Sequence, residues 1–339
     1  MKRWLKFTFG FLLLLFVALY GITSWIGAGW LLAPPRNPPQ TWQLDMLGNP
    51  RNYGLRIERS ISAAGVPYLL CVPDASAGPG RRGGILRMQL GNGAPPYGDI
   101  RGTVVLLHGW TMRKEGLLAV AERFCAAGLR CVIPDLPGHG ESPSPTAGFG
   151  ARAGERLLPG EVLESASRRF NFPSRPAVLW GLSMGGAYAL QAATAQPELW
   201  STVVVVSSFD ALEPVVHGQV DSSAHGLGSF LRPGLAVAVR IRGGFWPGDA
   251  CPVESARRLQ VPAFIVHGTS DDLIPPSCGR RIYEAIPTPR KRWLAVDGAL
   301  HGNVLGTPQH VFVEMSGWFL TWIAPLETKH ATASVKHSP

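Results

Sequence analysis

Two kinds of apolar pattern run along this chain. The first is a single long block: from Phe7 to Ala33 no side chain is charged, and Phe11 to Leu19 is almost entirely Leu, Phe and Val. Such a run exceeds the roughly 20 residues that cross a bilayer as a helix. The second kind is short, β-branched and repeated. Leu55–Ser62 and Val66–Pro73 read as an opening hairpin turning at Ala63-Ala64-Gly65. Thr103–Leu107, Leu129–Pro134, Ala177–Trp180, Thr202–Ser207, Ala263–His267 and Arg292–Val296 then read as buried strands. Helix-capable segments lie between them at Lys114–Ala127, Gly154–Arg169, Met184–Gln196, Ser277–Ile286 and Pro308–Trp322. Strands alternating with helices predict an α/β domain, a mostly parallel eight-stranded sheet with helices on both faces.

Two stretches interrupt the alternation. Residues 75–101, rich in Gly, Pro and Arg, read as a surface excursion, and residues 208–257 are too long for one crossover and read as a short cap inserted over a site. The expected organisation is therefore a membrane anchor at 1–33, a Pro-rich linker at 34–52, the α/β domain at 53–325 and a frayed tail at 326–339. The linker's Pro34-Pro35-Arg36-Asn37-Pro38-Pro39 predicts an extended polyproline spacer holding the domain off the membrane.

Charge refines the first block. Lys2, Arg3 and Lys6 precede it without an acidic neighbour, and they outweigh Arg36 and Arg51 on the other flank. The positive-inside rule then puts the N-terminus in the cytoplasm and the domain on the extracytoplasmic, in a bacterium periplasmic, side. A cleaved signal peptide is the rival reading, but its apolar centre spans only about 7–15 residues, and Trp25, Ile26, Trp30, Leu31 and Leu32 continue well past that. The overall net charge is +9. Beyond the anchor the basic residues are scattered, which argues for a solvated surface and against a nucleic-acid partner. The five cysteines, Cys71, Cys125, Cys131, Cys251 and Cys278, have irregular spacing and no C-x-x-C, so they read as small buried hydrophobes.

Candidate chemistry centres on Gly181-Leu182-Ser183-Met184-Gly185. This is a G-x-S-x-G pattern between an apolar run and a helix-capable segment, the strand-turn-helix context that exposes a serine nucleophile. Serine needs a base, and the base needs an orienting acid. Of the nine histidines, His330 and His337 fall in the tail, His217 and His225 in the cap and His310 at a helix start, while His108, His139 and His267 precede glycines at strand ends. His301 alone follows the last strand in the required order. For the acid, Asp271, Asp272 and Asp210 all follow strands on the same sheet edge, and spacing does not choose among them. No His/Cys/Asp cluster has metal-ligand spacing, and the chemistry calls for no metal or cofactor.

With these residues in place, the chain resembles the α/β-hydrolase superfamily, particularly its single-span, membrane-anchored members. The likeness covers about Tyr53 to Pro325. It rests on Val105-Leu106-Leu107-His108-Gly109-Trp110, on Pro134-Asp135-Leu136-Pro137-Gly138-His139-Gly140-Glu141-Ser142, on the Ser183 elbow with Gly181 and Gly185, on His267-Gly268-Thr269-Ser270-Asp271, and on His301. The resemblance implies an α/β-hydrolase fold and a Ser183–His301–Asp271 triad. It also implies an oxyanion hole formed by the backbone N–H groups of Met184 and Trp110. A single Trp110 stands where many esterases carry H-G-G-G. The implied activity is hydrolysis of an acyl ester, thioester or amide through an acyl-enzyme, with acyl transfer, peptidase chemistry or a catalytically silent binding scaffold as alternatives. Apolar cap residues such as Phe209, Leu212, Val216 and Phe230 suit a small-molecule or lipid-like acyl substrate.

Overall fold

The computed structural model describes residues 2–223, 226–306 and 310–323. The expected tail at 326–339, His225, His330 and His337 lie outside the described residues. Eight strands form one sheet: β1 (Leu55–Ile61), β2 (Pro67–Pro73), β3 (Gly102–Leu107), β4 (Leu129–Pro134), β5 (Ala177–Leu182), β6 (Thr202–Val206), β7 (Ala263–Gly268) and β8 (Lys291–Val296). Their order is β1-β2-β4-β3-β5-β6-β7-β8. β1 and β2 pair antiparallel, β2 joins β4 antiparallel, and every later pairing is parallel. The helices are α1 (Lys2–Leu32), α2 (Thr41–Gly48), α3 (Arg81–Leu90), α4 (Leu118–Ala126), α5 (Ala153–Phe170), α6 (Met184–Ala195), α7 (Leu212–Ser223), α8 (Gly228–Gly243), α9 (Pro252–Ala256), α10 (Pro276–Ala285) and α11 (Val311–Ile323).

Central strands are buried on both faces, which is why they read as unbroken apolar runs rather than alternating ones. Along β3, Val105 and Leu107 point into a core closed by α5, α6 and α10, while Val104 and Leu106 point into a second core closed by α2, α4 and α11. Four of the five cysteines are buried and Cys251 is partly so, and all five are free thiols.

Residues 75–101 are more ordered than a surface excursion. They carry α3, a helix that its own sequence, RRGGILRMQL, hardly favours. Packing supplies what propensity lacks. The buried carboxylate of Glu122 accepts from the Arg82 amide at 2.8 Å and lies 3.0 Å from the Arg82 guanidinium, satisfying the start of the helix. A side chain at Gly83 would press on Ala126, so glycine sets how closely α3 approaches α4.

The Pro-rich segment likewise departs from a free spacer. Residues 34–40 form neither helix nor strand, but Arg36 donates to the Ser142 and Ser144 carbonyls at 2.8 and 2.7 Å, and α2 then buries Met46 in the second core. The strap lies along the domain instead of holding it away.

The end of α1 is also docked. Tyr20, Ser24, Gly27, Ala28, Leu31 and Leu32 share one face by their i, i+4, i+7 spacing, and Ala28 and Leu32 are fully buried. That face meets α8 through small residues: a side chain at Gly27 would touch Leu235, and one at Gly234 would collide with Ser24 and Tyr20. The Tyr20 hydroxyl donates to the Phe230 carbonyl at 2.9 Å and accepts from the Gly234 amide at 2.8 Å. Those two groups are the i, i+4 pair that an uninterrupted helix joins directly, here beside Pro233 inside α8. One hydroxyl therefore splices α1 into the cap helix.

Tyr20→Phe strands both backbone groups, a loss of about 1–3 kcal/mol. The expected outcome is a thermal midpoint lowered by roughly 2–6 °C in the detergent-solubilised full chain; an unchanged midpoint contradicts the splice.

Candidate active site

The site begins with a steric demand. Between β5 and α6 the chain reverses within one residue, and Ser183 takes φ +55°, ψ −118°, a conformation L-residues rarely occupy. The turn closes only because both flanking positions lack side chains. A Cβ at Gly181 would collide with the Gly185 carbonyl, and one at Gly185 would collide with the Leu107 carbonyl of β3. The serine is thus lifted onto the carboxyl edge of the sheet at the N-terminus of α6.

His301 and Asp271 arrive at the same edge from the loops after β8 and β7. His301 Nε2 lies 3.1 Å from Ser183 Oγ, and its Nδ1 lies 2.9 Å from Asp271 Oδ2. The other carboxylate oxygen, Oδ1, accepts from the Ile274 amide at 2.8 Å and the Leu273 amide at 3.1 Å. This separates the candidate acids. Asp272 is exposed, and Asp210 is held by the Arg281 guanidinium at 2.5 and 3.1 Å. Burial pushes the Asp271 carboxyl up, but hydrogen bonds from His267 and His301 and from the Ile274 amide outweigh it and hold the group far below the usual carboxylate range.

His267 is the neighbour that sequence reasoning assigned only a backbone-shaping role. Its Nε2 donates to the Ile274 carbonyl at 2.9 Å and lies 3.3 Å from Asp271 Oδ2, so this buried imidazole clamps the acid's loop from below. The H-G-x-x-D spacing that marked Asp271 contained this signal. Met184 opens α6, so its N–H is a first-turn amide without a partner in its own helix. The Gly109–Trp110 turn faces it: a side chain at Gly109 would come within 3.5 Å of Ser183 Cβ.

Residues 104–320 match the alpha/beta hydrolase family. The chain belongs to that family. Among curated relatives it is similar to a monoacylglycerol lipase of Mycolicibacterium smegmatis, 27% identical over 67% of this chain and 90% of the relative. It is also similar to a pimeloyl-[acyl-carrier protein] methyl ester esterase of Chromobacterium violaceum, 29% identical over 54% of this chain and 82% of that one. Among solved structures, the Pyrococcus furiosus esterase Pf2001 shares the fold, with a TM-score of 0.59 at 16% identity over 86% of this chain and 99% of that one.

Beneath the site of this α/β hydrolase, buried polar contacts fix the turn that carries Trp110. Asp135, fully buried after β4, accepts from the Lys114 amide at 2.8 Å and from the Lys114 ammonium at 2.7 Å, and the same ammonium meets Glu141 at 2.6 Å. Gly140 sits at φ +50° against the Asp135 carboxylate, where any side chain would collide. His108 Nε2 accepts from the Leu136 amide at 3.0 Å, which leaves Nδ1 to donate to the Gly109 carbonyl at 2.9 Å. Both His108 and its edge-on neighbour His139 are structural, as their strand-end positions suggest. Of the remaining candidates, His217 lies 3.9 Å from Glu213 in the cap and His310 is exposed. Among the described residues no cluster of three or more His, Cys, Asp or Glu side chains is placed to hold a metal ion.

Burial pushes the His108 imidazole down to about 4 and that of His139 down to about 3. The unfolded chain protonates both near pH 6.5 while the folded chain does not, so below pH 6.5 the unfolded state binds more protons and stability falls as pH falls. The His108 shift alone corresponds to roughly 3 kcal/mol. Denaturant unfolding of the solubilised protein between pH 6.5 and 4.5 should lose about 2–3 kcal/mol per pH unit, the uptake of about two protons; a flat profile contradicts neutral burial of this pair.

Proposed function

We propose that the protein is a membrane-anchored serine hydrolase that cleaves carboxylic esters of apolar acyl chains. The observation that carries this reading is the continuous hydrogen-bonded line from Ser183 through His301 to Asp271 on a strained elbow. The names of the lipase and esterase relatives denote ester cleavage and support the same reaction class.

In this mechanism Ser183 Oγ attacks the acyl carbonyl while His301 Nε2 takes its proton. The tetrahedral oxyanion accepts hydrogen bonds from the Met184 and Trp110 amides, each donor contributing about 3–4 kcal/mol. Collapse expels the alcohol, which takes the proton from His301. Water then adds to the acyl-enzyme by the same route, releasing the acid and restoring Ser183. Asp271, charged throughout the neutral range, keeps the Nδ1 proton on His301 and offsets the imidazolium as it forms.

The anchor reading rests on the apolar helix Lys6–Leu32, uncharged after Lys6, and on what the end of that helix touches. Signal cleavage near Gly27–Gly29 would remove Tyr20 and Ser24, which bond to or pack against α8, and would leave Leu31 and Leu32, which the domain bonds and buries, at a new chain end without the helix that presents them. With Lys2, Arg3 and Lys6 at its start, the helix inserts N-terminus inward and leaves the domain outside the cytoplasm.

A fluorophosphonate probe should label the wild-type chain and leave Ser183→Ala unlabelled; a folded wild type that takes no label overturns the enzyme reading. Asp271→Asn should lower kcat on a chromogenic ester by on the order of 10³–10⁴, whereas Asp272→Asn should stay near wild type. For topology, an alkaline phosphatase fused to the C-terminus should be active in bacterial cells, and a fluorescent protein that folds only in the cytoplasm should be dark at the same point. The reverse pattern puts the domain inside.

A further inference from the structure

An apolar hollow beside the site is built partly from the anchor. A cavity of about 430 Å³ lies between the last turns of α1 and the cap helices α7 and α8. Gly27 and Leu31 form its α1 wall, Val216 and Val220 its α7 wall and Leu235 its α8 wall. Its size falls in the range of small-ligand sites, about 300–1,000 Å³. On the side toward the catalytic edge it ends at Trp110.

Trp110 connects the cavity to the chemistry. Its backbone follows Gly109, which packs against Ser183, while its indole Nε1 donates to the Leu31 carbonyl at 3.1 Å. One residue thus bears the proposed oxyanion amide on its main chain and closes the hollow with its ring. Behind it the outer face of α1, with Trp25 and Ile26, is exposed and apolar.

Depth follows from helix geometry. The 27-residue stretch Lys6–Leu32 of α1 spans about 40 Å at about 1.5 Å per residue, against a hydrocarbon core of about 30 Å. With Lys6 at one interface, the last seven or so residues stand at the other. Gly27 and Leu31 therefore lie at headgroup level. The start of α8 reaches deeper, because the Phe230 ring sits 4.8 Å from Tyr20 and 5.7 Å from Phe16, and Leu227 and Phe230 are exposed there.

We infer that this cavity binds one hydrocarbon chain of an ester resident in the bilayer, with the anchor helix itself as a wall of the substrate site. The inference rests on the ester-hydrolase reading and adds the source and path of its substrate. The chain leaves the bilayer alongside α1, between α1 and the cap, lies against Leu31, Val220 and Leu235, and presents its ester past Trp110 to Ser183. The rim keeps hydroxyl and amide groups, Thr23, Ser24 and Gln219, at the level where an ester meets the headgroups.

Two readouts test this on the full-length protein in detergent. In turnover, Val220→Trp, which fills the hollow from α7, should cut the ratio of kcat/KM for a dodecanoyl over an acetyl nitrophenyl ester at least tenfold. Gly27→Leu, filling it from α1, should do the same should the first variant fail to fold. A ratio within twofold of wild type in a folded variant overturns the inference. In binding, Ser183→Ala is irradiated with a palmitoyl ester carrying a terminal diazirine. Adducts at Val216, Val220 or Trp110, reduced at least fivefold by Val220→Trp, are expected; adducts confined to the outer face of α1 or elsewhere overturn it. Binding is read without turnover, so a cavity that fails here is distinguishable from an enzyme that fails to take a fluorophosphonate.

Discussion

The close approach of three backbones at residue 183 sets everything else in this protein. β3, β5 and α6 come together where Gly181 faces Gly185 and Gly185 faces the Leu107 carbonyl, distances that admit hydrogen and nothing larger. From that junction the serine projects over the sheet edge at the N-terminus of α6. Turns from β3, β7 and β8 end at the same edge because parallel strands share a direction. The strain at φ +55° persists because burial on both sides of the sheet outweighs it.

Much of this was legible. Each strand lies within a residue or two of its apolar run because central strands must be apolar on both faces, and the elbow declared itself through glycines whose absence of side chains is a geometric necessity. Which of Asp271, Asp272 and Asp210 lies against His301 was not legible from spacing. It depends on which carboxylate folds back onto the amides of residues 273 and 274 and which is already engaged by Arg281, contacts that reach across loops. His267 escaped for a related reason. A histidine closing a strand looks the same whether it braces the backbone alone or also faces an acid four residues later.

The segments that sequence reasoning rendered as spacer and excursion share one physical cause. Residues 34–52 and 75–101 lack apolar periodicity, yet both are tied down by single polar side chains across the fold: Arg36 of the first segment bonding carbonyls after β4, and Glu122 of α4 accepting amides at the start of α3. One-to-one bonds of this kind leave no period in a sequence. The docked face of α1 was hidden differently. Ser24, Gly27 and Ala28 are unremarked members of an apolar span, and only the partner helix, with Gly234 and Gly243 opposite, shows that they form a contact stripe.

The last turn of α1 carries carbonyls that its own helix leaves open, and the α/β body supplies donors to two of them: the Trp110 indole to Leu31 and the Ala147 amide to Leu32. A helix ended in this way is mounted, not tethered. The direction of α1 and the facing of the sheet edge that carries Ser183 are thereby coupled. Removing the first 33 residues to obtain a soluble enzyme would accordingly do more than detach it. It would take the acceptors from the Trp110 indole and the buried Ala147 amide, bare the α8 face around Leu235 and Val239, and open one side of the chamber behind Trp110.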